Sequence, residues 1–271
     1  MTVASPSASG PAAPARPRKP APSRALILGL VAVVAITAWA AWEIEFELTS
    51  LFENFSNGWV VIQDFLHPNW SYLGNASTAW LETISIAVVA SFFGVAVGLV
   101  FAYMASQVTN RSTRLYRFTK WFLAVLRSLP DVAYVLIFVA LVGVGSLAGI
   151  LALFIFNIGI AAKLTAETID AVDAGPLEAA DASGAGTFSR ARWAVQPQIL
   201  PNFLSYALYI FELNIRSSVV IGYAGGGGIG QLIQVQFARF NYENVSAIVI
   251  SMFVVVLLID QLSQYLRRRL V

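Results

Sequence analysis

No cysteine occurs anywhere in the 271 residues, so disulfides, thiolate metal sites and a cysteine nucleophile are all excluded. Histidine is almost as scarce. His67 stands alone, which rules out a multi-histidine metal cage and leaves little basis for histidine catalysis. Charge is thin as well, at 12% of residues, and the net value of +2 is too small to point to nucleic acid. No G-x-x-x-x-G-K-[ST] stretch exists, so the chain has no P-loop of its own. What remains is 58% hydrophobic, with a mean hydropathy of +0.71. Those values lie outside the range of soluble domains and predict an all-α polytopic membrane protein.

Residues 1–24 are rich in Pro, Ala and Ser and carry Arg16, Arg18, Lys19 and Arg24, the pattern of a disordered basic cytoplasmic tail. A bare apolar run follows from Ala25 to Trp42. Its Ala38-Trp39-Ala40 mimics a signal-peptidase site, but the run is long for a signal peptide and reads as an uncleaved span. A span needs about 20 mostly apolar residues. Six such stretches are predicted, at roughly 25–43, 79–105, 120–142, 147–165, 199–222 and 245–266.

Charge placement orients them. With the N-terminus inside, fourteen of the seventeen Lys and Arg residues fall on inner segments, at 1–24, around 106–120, around 163–198 and at 267–271. Arg127 and Arg216 fall within spans, and only Arg239 lies outside. The first outer segment instead holds Glu43, Glu45, Glu47, Glu53 and Asp64. The positive-inside rule then predicts a multi-pass membrane protein with both termini in the cytoplasm. Three regions follow: the basic tail at 1–24, the first span with an acidic external segment at 25–78, and a helical core at 79–271.

Within the spans, ionisable groups need partners or water, because a charge at mid-bilayer costs about 2.5–3.5 kcal/mol. Arg127 with Asp131, and Glu212 with Arg216, are spaced i, i+4 and share a helix face. Pro130 between the first two should kink that helix and free a carbonyl. Two readings stand. In one, the pairs are self-neutralising bridges that lock the bundle. In the other, the arginines line or gate a watery path for an anion, which the planar guanidinium fork suits, with Asp131, Asn214, Ser217 and Ser218 adding polar groups. Asn157 reads as an interhelical hydrogen bond and Lys163 as a snorkelling side chain. Gly94-x-x-x-Gly98 and Gly145-x-x-x-Gly149 allow close helix approach, within the chain or between subunits.

Gly225, Gly226, Gly227, Gly228 and Gly230 formally match G-x-G-x-x-G, but a membrane span precedes them where a dinucleotide site needs a strand. They read as an external glycine-rich loop, a tight re-entry of backbone after the fifth span.

The inner segment 166–198 carries a polar island. Asp173-Ala174-Gly175 reads as a break, Pro176 suits a first helical turn, and Glu178 complements the helix dipole there. Ala179, Ala180 and Ala182 make a thin helix. Gly184 and Gly186 can supply positive φ, and Thr187 or Ser189 can cap the next helix. Taken alone, this is either an ordinary interfacial loop or a compact handle for another protein.

The spacing of Glu178-Ala179-Ala180, Gly184 and Pro197 resembles the EAA loop of ABC-importer permeases, E-A-A-x3-G-x9-I-x-L-P, with Ala194 in place of Ile and Gln196 in place of Leu. Arg127-Ser128-Leu129-Pro130-Asp131, Leu200-Pro201-Asn202-Phe203-Leu204-Ser205-Tyr206, Asn214-Ile215-Arg216-Ser217 and the glycine run are together similar to the phosphonate-type branch of that family, from about residue 79 to the C-terminus. The resemblance implies a type I ABC importer permease fold with a cytoplasmic coupling helix. It implies a non-catalytic subunit that forms a homodimer around one path, and docks two cytoplasmic ATPase subunits that bind ATP and Mg. It implies an external solute-binding protein that delivers phosphonate or a related phosphorus oxyanion. A secondary transporter would instead need inverted repeats and a proton-relay carboxylate, and a membrane enzyme would need a nucleophile or metal constellation. Neither pattern is found.

Overall fold

Apolar side chains in runs of this length fold as helices, since a bilayer leaves no water to satisfy an open backbone. The computed structural model describes residues 23–47, 49–53 and 55–270, so most of the expected basic tail lies outside the described residues. The described residues are helical throughout, with no strand. The chain divides into two compact units, Met1–Gly58 and Trp59–Val271.

The first unit holds α1 (Arg24–Glu43), α2 (Thr49–Glu53) and the start of α3 (Phe55–Leu66), which runs on into the second. Ser23 opens α1, its hydroxyl accepting from the Leu26 amide at 3.2 Å. No residue of α1 is buried, and its mean hydropathy of 2.3 suits a helix sheathed by lipid.

The second unit is the core. After a 3₁₀ turn at Trp70–Tyr72 it runs through α4 (Leu73–Met104), α5 (Thr113–Ser128), α6 (Asp131–Val142), α7 (Ser146–Asp170), α8 (Ala174–Ala182) and α9 (Thr187–Arg190). A π-helical stretch, Ala191–Val195, leads into α10 (Gln196–Ile221), and α11 (Gly228–Ala238) and α12 (Tyr242–Arg267) complete it. The closest pairing is α4 on α7. A Cβ placed on Gly94 would lie 2.6 Å from the Asn157 Cβ, and one on Gly98 would lie 2.6 Å from the Ala161 Cβ. The first glycine pair therefore serves packing within the chain. So does Gly149, which abuts the Gly226 backbone.

Six uniform spans are not recovered. Among the described residues α1, α4 with its preceding turn, α7 and α12 are long and apolar enough to cross a membrane, and α5 with α6 counts as a fifth if the bent pair is one span. The pair bends by 85° between Ser128 and Asp131. Pro130 is the cause, and it breaks the helix rather than merely kinking it. Having no N–H, it leaves the Leu126 carbonyl without its usual i+4 donor. The Tyr134 hydroxyl donates to that carbonyl at 2.7 Å. The expected fifth span is present as α10, 26 residues long. It falls short on apolarity because Glu212, Asn214, Arg216, Ser217 and Ser218 interrupt it, and most of these are turned towards protein rather than lipid.

The glycine run is buried, with Gly225, Gly226 and Gly227 at the break between α10 and α11 and Gly228 and Gly230 in the first turn of α11. Gly225 and Gly227 have φ of +103° and +82°, which only glycine adopts cheaply. The amide of Gly145 donates to the Gly225 carbonyl at 2.9 Å, and the Ile229 amide donates to Thr83 Oγ1 at 2.8 Å. A broken backbone is thereby kept satisfied inside the bundle.

Candidate coupling surface and intramembrane polar groups

The segment after α7 is built as a braced projection. Asp173 caps α8, its carboxylate accepting from the Gly175 amide at 3.1 Å. The helix thus begins at Ala174, two residues before Pro176, which lies in its first turn, and Glu178 falls beyond that turn. Leu177 is the one buried residue of α8. It packs into a cluster with Ile169, Val195 and Ile199, which fastens the helix to the core. Glu178 and Ala179 face outward and Ala180 is half-buried. Gly184, at φ +73°, ends the helix, with its amide donating to the Asp181 carbonyl at 3.0 Å. Gly186 has ordinary negative φ and itself caps α9, so neither Thr187 nor Ser189 is needed there.

Further contacts hold this projection to its neighbours. The Asp181 carboxylate lies 3.2 Å from Arg190 and 3.7 Å from Arg111. Arg190 also donates to the Val108 carbonyl, which ties the α4–α5 connection to the projection. Ser106 donates to Asp170 at 2.5 Å. Gln198 accepts from the Asp173 amide at 2.9 Å, and its amide group donates to the Ala194 carbonyl at 2.7 Å. Asp181 thus ties α8 to Arg190 of α9 and to Arg111 of the α4–α5 connection, and its cap Asp173 is tied to Gln198 of α10.

The intramembrane residues form two groups rather than two self-paired bridges. Glu212, buried on α10, is held by Arg216 and by Arg267 of α12, the latter at 2.9 Å. Arg216 also approaches Asp260 at 3.9 Å. The Asn214 amide donates to Ser91 of α4 at 2.7 Å, while its carbonyl oxygen is buried without a partner. Ser218 donates to the Ile215 carbonyl, as a hydroxyl does when it folds back on its own helix. Ser217 is half-buried beside them.

Arg127 and Asp131 do not pair. The 85° bend separates their helices, and Asp131 accepts from the Val132 amide at 2.9 Å. Arg127 turns to α7, with its Nε donating to the Leu123 carbonyl at 3.1 Å. It lines a small groove with Lys120 and Lys163. Asn157 is fully buried, yet neither its nitrogen nor its oxygen finds a partner, so the expected interhelical hydrogen bond is absent.

A family profile described as "Binding-protein-dependent transport system inner membrane component" matches residues 94–271. The chain belongs to this family. Its members are the membrane-embedded permease subunits of ABC importers, and the type I permease fold is shared with solved transporters. The phosphite transport system permease protein PtxC of Stutzerimonas stutzeri is 32% identical over 222 residues, covering 82% of this chain and 81% of the relative. The phosphate-import permease protein PhnE of Mycolicibacterium smegmatis is 36% identical over 205 residues, covering 75% of this chain. The match spans only 38% of that relative's length. A structure of the MetNI methionine ABC transporter in inward-facing conformations has a chain that superposes with a TM-score of 0.65 at 21% identity, covering 72% of this chain and 96% of its own.

Several residues of this permease carry structure that no motif announced. Glu82 of α4 accepts from Ser146, the first residue of α7, at 2.5 Å. A carboxylate there offsets the positive end of that helix. Glu82 and Asp260 were both visible as ionisable residues inside apolar runs, the one signal that marks such positions. Asp181, Arg190 and Gln198 gave no such signal, because charge and amide groups are ordinary in an inner segment.

Proposed function

We propose that this permease moves a phosphorus oxyanion, such as phosphonate, phosphite or phosphate, into the cell. ATP hydrolysis on a separate subunit drives the transport. In this reading two copies enclose one path, and each presents α8 to a cytoplasmic ATPase that binds ATP and Mg. An external binding protein delivers the anion. Both termini are cytoplasmic, the core at 79–271 does the work, and the chain catalyses nothing itself. The phosphite and phosphate importers named among its relatives support the cargo class.

The observation that carries the reading is the presentation of α8. Glu178, Ala179, Ala180 and Gly184 lie along a thin, largely outward segment, with a buried Leu177 beneath and ion pairs from Asp181 to Arg190 and Arg111. Small side chains let a partner groove approach the backbone closely, and the bracing makes the segment a lever. Arg127, Asp131, Asn214, Arg216, Ser217 and Ser218 are assigned to the path or its gates, and Gly225, Gly226, Gly227, Gly228 and Gly230 to its hinge. The arginines favour an anion by charge, and their partial pairing keeps binding weak enough for release.

The test is ATP hydrolysis by the reconstituted complex, titrated with candidate anions and the cognate binding protein. Phosphorus oxyanions should stimulate hydrolysis and sulfate should not. Gly184→Val forces a branched side chain into the left-handed region, at a cost of more than about 1–2 kcal/mol. That variant should insert normally but lose solute stimulation. Uptake that runs on an ion gradient without the ATPase would overturn the reading.

A further inference from the structure

Three cations converge where α5 meets the inner half of α7. Lys120, Arg127 and Lys163 line a groove of about 180 Å³ with Glu167 as its one acidic residue. Ala105, Leu123 and Ala166 complete its wall. Only Lys163 has a carboxylate in reach, Glu167 at 3.6 Å. Lys120 lies over the Tyr116 ring at 5.3 Å. Arg127 spends its Nε on a carbonyl, and its two terminal nitrogens make no hydrogen bond among the described residues.

The placement of Arg127 is built in. A Cβ on Gly159 would stand 2.8 Å from Arg127 Cγ, so glycine at that position lets the arginine stem lie flat on α7. Pro130, by breaking the helix, removes Asp131 from the face on which it would have neutralised the guanidinium. Like charges gathered this way repel one another unless an anion joins them. The groove holds about six water volumes, room for a small tetrahedral anion. The guanidinium fork offers two parallel donors, and each ammonium adds a point charge.

We infer that Lys120, Arg127 and Lys163 form a binding site for a phosphoryl or phosphonyl oxyanion. On the importer reading, on which this rests for its orientation, the groove opens to the cytoplasmic side and holds the anion at the inner end of the path to which Arg127 is assigned. An anionic lipid headgroup offers the same chemistry.

The two sources are separated by thermal unfolding of the full-length chain in nanodiscs. No nucleotide or binding protein is present, so failure of the transport scheme and failure of this site are distinguishable. In phosphatidylcholine discs, inorganic phosphate should raise the melting midpoint saturably, and chloride of equal ionic strength should not. The paired variant Lys120→Gln with Lys163→Gln should weaken that response about tenfold or more. Both ammonium groups are exposed, so the fold tolerates the change. A response seen in phosphatidylcholine assigns the site to a free oxyanion. A variant-sensitive stabilisation that appears only when phosphatidylglycerol is added assigns it to a headgroup. If neither phosphate nor phosphatidylglycerol gives a variant-sensitive shift, the three cations merely snorkel and the site does not exist.

Discussion

Replacing Gly98 by alanine tests whether the α4–α7 contact is the tightest joint of the permease. The new Cβ would meet the Ala161 Cβ at 2.6 Å, the Ala162 amide nitrogen at 3.3 Å and the Ile158 carbonyl oxygen at 3.4 Å. Carbon atoms settle at about 3.5–4.0 Å, so the first contact demands about 1 Å of helix separation. Overpacking of that kind costs about 1–3 kcal/mol. The other two contacts are tight but tolerable, which makes one facing methyl the whole obstacle. Ala161→Gly removes that methyl, at about 1 kcal/mol for glycine inside a helix. Combined, the two changes only move a methyl from one helix to the other. The double variant should then be no less stable than Ala161→Gly alone, a favourable coupling of about 1–2 kcal/mol. Unfolding of the full-length chain by graded denaturing detergent measures all four corners of the cycle. Strictly additive losses, or a Gly98→Ala variant as stable as the parent, would refute the packing argument.

Three further substitutions probe the polar joints. Thr83→Val keeps the shape but removes the acceptor of the buried Ile229 amide, so it should cost about 1–3 kcal/mol and speed hydrogen exchange at the start of α11; unchanged protection there would contradict the assignment. Glu212→Gln should lower stability by about 2–3 kcal/mol, less than the 3–5 kcal/mol of a fully buried pair because Arg216 and Arg267 are 52% and 29% exposed. Detergent unfolding reads the loss, and stability equal to the parent's would mean that the two arginines are held by water instead. Asp181→Asn should cost about 1–2 kcal/mol, since Asp181 is 45% exposed but its partner Arg190 only 16%, and should quicken exchange across 174–190 and lower solute-stimulated ATP hydrolysis. Full stimulation in that variant would show that the brace plays no part in coupling.

Much of the coupling segment was legible because its rules are local. Small alanines and a glycine that must turn the chain act over a few residues, and Gly184 does take positive φ, whereas Asp173, read only as part of a break, proves to be the cap. The start of α8 lies two residues before Pro176, which signals an early helical position but does not say which one. The pairing of Arg127 with Asp131 failed for a different reason. Spacing of i, i+4 puts two side chains on one face only while the helix is continuous, and Pro130 ends it between them. The same spacing succeeded for Glu212 and Arg216, where α10 runs unbroken. What spacing could not disclose there was Arg267, 55 residues along the chain, which takes the second carboxylate oxygen.

The burial of the glycine run follows from the cost of open backbone in a bilayer. Read along the chain, glycines after an apolar stretch look like the point where a span ends and a loop begins. In a bilayer a loop is the expensive choice, because each freed amide or carbonyl needs a partner. Here two breaks meet and satisfy each other. The turn between α6 and α7 supplies the Gly145 amide to the Gly225 carbonyl, and Thr83 of α4 receives the first amide of the α11 side. Neither α6, at about 18 Å, nor α11, at about 17 Å, is long enough to cross the roughly 30 Å apolar core alone. Short helices joined by satisfied breaks are stable only where protein surrounds them. The glycine run therefore marks backbone that faces the inside of the permease, and its partners lie some 80 and 145 residues away, beyond the reach of any local pattern.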